Sequence, residues 1–173
     1  MTELGAGSAS RGRGNGVQDF AASELFDRTF QEGMELVEET ATYLDGAGRQ
    51  DSKLLSRSAA LAYAGESMRL TTRLMQVASW LLVQRAVREG DMNPADACQD
   101  RYRLAEPVGA EAADGSPDDL PGGLLTLLDR SARLYERVLH LDRRMYVEEP
   151  ANEADHPVLS QYEKLEAAFA KDS

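Results

Sequence analysis

Side chains able to do chemistry are sparse in this chain of 173 residues, and their spacing is poor for it. Glu32, Glu35, Glu38 and Glu39 crowd one stretch, as a carboxylate metal site would. A helical di-metal centre, however, takes two Glu-x-x-His pairs from facing helices. The chain has 2 histidines, and the first, His140, follows an arginine, Arg137, at that spacing. The glutamates are expected to form a solvated acidic face with no metal. Nucleophilic chemistry fares no better, since the single cysteine, Cys98, lies in a polar stretch and no serine sits in a Gly-x-Ser-x-Gly turn. The "GAG" at 46–48 follows a helical pattern and not a strand, which makes it a helix stop and not a phosphate loop. No catalytic residue, cofactor or metal is expected, and the chain does not read as an enzyme.

What remains is arginine and one tryptophan. In "RLTTRLMQVASWLLVQRA", residues 69–86, apolar side chains return every three or four positions. At roughly 100° per residue, Trp80 falls beside Arg69, Arg73 and Gln76, with Gln84 further along the same stripe. Trp and Arg are the residues most enriched at binding hot spots, because a large ring and a planar cation both gain when a partner excludes water. Arg69, Arg73, Gln76, Trp80 and Gln84 are therefore the candidate interface. Three covers are open for Trp80: a second copy of the chain, another partner, or the chain's own linker or tail.

The elements that must carry these residues are helices. From Asp19 to Leu44, Phe26, Phe30, Val37, Ala41 and Leu44 share one face, and "LDGAG" supplies a left-handed stop. A second pattern runs over 54–89 and stops at Gly90. Leu61, Met68, Met75, Ala78 and Leu82 form one of its stripes, and Tyr63, Leu70, Leu74, Val77 and Leu81 another. A helix apolar on two faces is expected between two others, leaving the Trp80 stripe to point outward. Asn93 and Pro94 open a short helix to about 103. A third long helix covers 120–146, with Leu124, Leu127, Ser131, Leu134, Val138, Leu141 and Met145 in a near-heptad.

The expected architecture is all-α, an antiparallel three-helix bundle over 19–146. It is flanked by a disordered N-terminal tail (1–18) and an acidic C-terminal tail (147–173), with a flexible acidic linker at about 105–123. In the C-terminal tail, Leu159, Tyr162, Leu165 and Phe169 mark a short amphipathic segment, either a docking helix or an extra helix on the bundle.

Charge supports this pairing. Over 19–44 there are seven acids and one Arg, net −6; over 54–89, five Arg and two Glu, net +3; over 120–146, three acids and five Arg, net +2. A short connection makes the first two helices antiparallel neighbours, acidic flank to basic flank. The chain's net charge of −11 and pI near 4.6 oppose phosphate backbones, and a long helix apolar on two sides is not a recognition helix. Nucleic acid is not an expected partner, and a DNA-binding regulator is the weakest alternative. The N-terminus lacks the apolar core of a secretory signal, and the longest apolar run is a few residues around "WLLV". A cytoplasmic protein without membrane insertion is expected.

Two runs, "FQEGMELVEETATYLDGAGRQDSK" and "ESMRLTTRLMQVASWLLVQRAVREG", closely resemble the RcdA family of bacterial adaptors, regulators of CtrA degradation. The resemblance spans about residues 19–92 and weakens through the third helix. It implies a homodimeric three-helix bundle without catalysis of its own. It further implies work with the ClpXP protease primed by the response regulator CpdR, tethering of cell-cycle transcription regulators as substrates, and a connection to the cyclic-di-GMP receptor PopA. Through such partners the protein would concentrate at a cell pole. A dimeric helical scaffold that recruits nothing to a protease is the alternative.

Overall fold

In the computed structural model, which describes residues 16–106 and 119–147, serines and one glycine set the helix ends. Residues 16–21 form a first helical segment, α1, which breaks at Ser23. The Ser23 hydroxyl donates to the Phe20 carbonyl at 2.6 Å and accepts from the Phe26 amide at 3.2 Å, closing one helix and capping the next, α2 (Glu24–Asp45). The single helix expected from residue 19 is thus two pieces, and the bend between them folds Phe20 back over the bundle.

Beyond Gly46 come a short α3 (Ala47–Ser52) and the long α4 (Arg57–Glu89), whose cap Ser56 accepts from the Ala59 amide at 3.3 Å. Gly90 ends α4 in the left-handed conformation, φ 82°, where a Cβ would be strained. Asn93 caps α5 (Pro94–Ala97), accepting from the Ala95 amide at 2.9 Å, and a 3₁₀ turn follows at Asp100–Tyr102. The last described helix, α6, spans Gly122–Val147. No strand occurs among the described residues, and the fold is all-α.

The "LDGAG" stretch behaves differently from its expected left-handed stop. Gly46 has φ −109°, and the chain turns directly from α2 into α3. Gly48 lies inside α3, where a Cβ would meet the Tyr43 ring and the Tyr63 hydroxyl at 2.6 Å. That glycine serves close packing, not helix termination.

α2 runs antiparallel to both other long helices. Asp27 near its start pairs with Arg88 near the end of α4, while Glu32 and Glu39 pair with Arg137 and Arg130 of α6. α4 and α6 are consequently parallel to each other, and the described start of the connecting chain runs back beside α4, with the Glu106 carbonyl reaching Gln76. Phe26 and Leu36 of α2, Leu70, Leu74 and Leu81 of α4, and Leu124, Leu134 and Val138 of α6 fill the core. Half-exposed ion pairs contribute about 0–1 kcal/mol each, so the acid-to-arginine match selects neighbours more than it stabilises them.

Candidate interaction surfaces

The arginine side of α4 does not face outward, and the candidate interface is corrected on that point. Trp80 is 2% exposed and Gln84 0%, while Arg69, Arg73 and Gln76 are half-buried. The Trp80 Nε1–H donates to Asp142 Oδ1 of α6 at 2.9 Å, and the Phe20 ring packs on the indole at 5.7 Å between centroids. Arg73 Nη1 donates to Ser131 Oγ at 2.9 Å and to the Leu128 carbonyl at 3.3 Å. Burial, with the Arg69 charge second, lowers the Arg73 pKa from its ordinary value. Gln76 Nε2 donates to the Glu106 carbonyl at 3.4 Å, and Arg69 pairs with Glu66 at 2.6 Å. Of the three covers open for Trp80, the chain itself supplies one, from α1, α6 and the returning linker.

Asp142 organises this cover, and sequence reasoning missed it. Its carboxylate is 1% exposed and accepts from Trp80, from the Leu104 amide at 3.3 Å and from Arg103 Nη2 at 3.3 Å. Nearby, Tyr135 donates its hydroxyl to the Ala105 carbonyl at 2.7 Å. The start of the returning linker is thereby fastened to α6. An aspartate within the apolar near-heptad of the third helix was the available signal, since a carboxylate there needs donors on the facing element. Gln84 is an exception in this core, buried with neither side-chain polar atom bonded to a protein group.

What faces outward is a stripe expected to be buried. Leu61, Met68, Met75 and Leu82 are 69%, 72%, 65% and 51% exposed, and each follows the last by seven residues. α2 and α6 occupy the Tyr63–Leu81 side and the arginine side of α4, so the third apolar stripe stays exposed. Met75 also borders a groove of about 490 Å³ between α4 and the returning linker, with Tyr102 and Arg101 on its far wall.

The acidic face of α2 is used in ion pairs with α4 and α6, and among the described residues no group of three or more His, Cys, Asp or Glu is placed to hold a metal ion. Leu159, Tyr162, Leu165 and Phe169 lie outside the described residues, as do most of the linker and both tails. No helix among the described residues is long and apolar enough to cross a membrane.

Comparisons with known proteins agree on a family. The crystal structure of RcdA from Caulobacter crescentus CB15 is 71% identical in sequence, with a TM-score of 0.64, covering 76% of this chain and 99% of that chain. No curated protein matches. The family described as "Protein of unknown function (DUF1465)" matches residues 17–169, nearly the whole chain, and the protein belongs to this family, that of RcdA.

Proposed function

We propose that the protein is a non-enzymatic adaptor in regulated proteolysis. As a homodimer it tethers cell-cycle transcription regulators to a ClpXP protease primed by CpdR, and it connects onward to a PopA-type cyclic-di-GMP receptor. The observation that carries this reading is the 71% identity to RcdA across 99% of that chain. An adaptor needs no reacting group, only surfaces that raise the local concentration of substrate at the protease, and tethering does this by about 10²–10⁴-fold with modest individual affinities. The three-helix bundle supplies a rigid body, and Leu159, Tyr162, Leu165 and Phe169 are the proposed docking anchors, spaced for one face of a helix.

The test is degradation of purified cell-cycle regulators by ClpXP and CpdR, with and without this protein. Acceleration of at least about tenfold for one substrate is expected from the tethering argument. Unchanged rates for every regulator tried would leave the protein a scaffold outside proteolysis.

A further inference from the structure

The groove of about 490 Å³ between α4 and the chain that follows α5 has two walls of different charge. The α4 wall, from Thr72 to Val83, consists of threonine, methionine, glutamine, serine, tryptophan and valine, with no charge among them. The opposite wall carries Arg101, Tyr102 and Arg103. Arg101 is exposed, with its guanidinium over the Tyr102 ring at 4.6 Å. A strip that is uncharged along one edge and cationic along the other fits a helix that is apolar on one face and acidic on one flank only.

Of the stretches outside the described residues, one has that pattern. Residues 1–15 would set Arg11 and Arg13 against the arginine wall, and 107–118 is acidic but has neither leucine nor an aromatic. In 159–169, at 100° per residue, Leu159, Tyr162, Leu165 and Phe169 fall within an arc of about 120°. Glu163 and Glu166 lie together on one flank of that arc, uncharged Gln161 and Ala168 on the other, and Lys164 behind. The lengths agree as well. Thr72 to Val83 is eleven helical steps, about 16 Å, and Leu159 to Phe169 is ten, about 15 Å.

We propose that this groove is the docking site of the chain's own segment 159–169, with the four apolar side chains on its floor, the Glu163–Glu166 flank along the arginine wall and the Gln161–Ala168 flank along α4. α6 delivers the segment to the place. It ends at Val147, five residues and about 8 Å beyond Asp142, whose carboxylate holds Trp80 and Arg103, both of which line the groove. Twelve residues separate Val147 from Leu159, a reach of at most about 40 Å, and so short a tether holds the segment at an effective concentration of about a millimolar. The proposal rests on the reading of these four residues as docking anchors and adds what holds them in the free protein. A partner that takes the anchors must first displace them from the groove, and its apparent affinity falls by the fraction of chains in which they are free. The groove thereby sets a threshold on recruitment.

The test is disulfide formation within the full chain in a Cys98→Ser background, between Ser79→Cys on the α4 wall and either Ala168→Cys or Ala167→Cys in the segment. The two segment positions share one tether, but in the docked helix 168 lies on the flank toward α4 and 167 on the back. Ser79 and Arg101 are exposed, so helicity by circular dichroism should be unchanged in every variant. Docking predicts that the bond from 168 forms at least about tenfold faster than the bond from 167, at a rate independent of protein concentration, since burial of the anchors fixes which flank meets α4. Leu165→Ser should remove the difference, and Arg101→Glu should reduce it about fivefold, with Glu166→Arg in the same chain restoring it. Equal rates at 167 and 168 overturn the docked helix. A preference for 168 that survives both Leu165→Ser and Arg101→Glu overturns recognition by anchors and acids. Bonds that form only when Ser79→Cys chains are mixed with Ala168→Cys chains overturn docking within the chain and give the groove to the segment of a second copy. The degradation assay reads the anchors separately: a loss of degradation in Leu165→Ser with equal rates at 167 and 168 keeps them for a partner and removes only the groove, whereas docking in a protein whose Leu165→Ser variant degrades substrates unchanged keeps the groove and removes the partner.

Discussion

At the scale of a residue, the pairing of Trp80 with Asp142 decides how the linker leaves α4. A carboxylate that is 1% exposed must find donors, and Asp142 finds three on two segments: the Trp80 indole of α4, and the Arg103 guanidinium and Leu104 amide of the linker's start. The Arg103 side chain is 37% exposed, so its share is small. Removing the carboxylate leaves two buried donors without an acceptor, each costing about 1–3 kcal/mol, so Asp142→Ala is expected to destabilise the fold by about 3 kcal/mol. Asp142→Asn keeps one acceptor oxygen and should lose roughly half as much. Urea unfolding followed by tryptophan emission is the direct measurement, because Trp80 is the 1 tryptophan of the chain. Its native emission should also move to the red in Asp142→Ala as water reaches the indole. An unshifted spectrum and an unchanged midpoint would mean that the Phe20 ring and the core packing hold the indole unaided.

At the scale of the element, helix existence was legible and helix orientation was not. The three long helices lie within five residues of their expected limits, because apolar periodicity, a proline after Asn93 and Gly90 are local signals. The facing of α4 is a tertiary fact. Its apolar residues spread over three stripes, two of them are used inside the bundle, and periodicity alone cannot say which two. The heuristic that arginines mark the solvent side failed because Arg73 reaches Ser131 and the Leu128 carbonyl, while Trp80 needs the acceptor that α6 holds. The absence of charge along Leu61, Met68, Met75 and Leu82 looked like core, and it reads equally well as an interface.

The tyrosine slot shows a second misreading of a local signal. Tyr43 lies between Gly48 of α3 and Gly123 of α6, where added Cβ atoms would stand 2.6 and 2.5 Å from its ring. Gly48→Ala removes a helix penalty of about 1 kcal/mol but forces two packed aromatic side chains apart at about 1–3 kcal/mol. Net destabilisation of about 1 kcal/mol is expected from these opposed effects, read as a lowered urea midpoint. A stabilised variant would show that Tyr43 and Tyr63 have room to move.

At the scale of the whole molecule, the net charge of −11 sets the direction in which pH destabilises the bundle. Tyr43, Tyr63 and Tyr135 sit along it, the first two by α3 and the third under the returning linker. Each has its pKa raised from the ordinary value of 10.0, and burial is the main cause in all three. The neighbouring Tyr63 and Asp51 add to the effect at Tyr43, and Glu106 adds to it at Tyr135. A raised pKa means the folded chain holds these protons longer than the unfolded chain does. Below about pH 10 both states are protonated and the tyrosines' contribution is fully present; as pH rises past 10 the unfolded chain ionises first and stability falls, until the folded-state pKa values are passed. Forcing ionisation adds negative charge to an already anionic molecule and removes the proton that Tyr135 donates to the Ala105 carbonyl. Urea midpoints measured from pH 8 to 11 should therefore be level at first and then drop. Tyr135→Phe should start lower, having lost the linker contact, and descend less steeply, having one titrating group fewer. Parallel curves for wild type and variant would place the alkaline sensitivity at the Tyr43 and Tyr63 end of the bundle, and a curve flat to pH 11 would show that none of the three tyrosines is linked to folding.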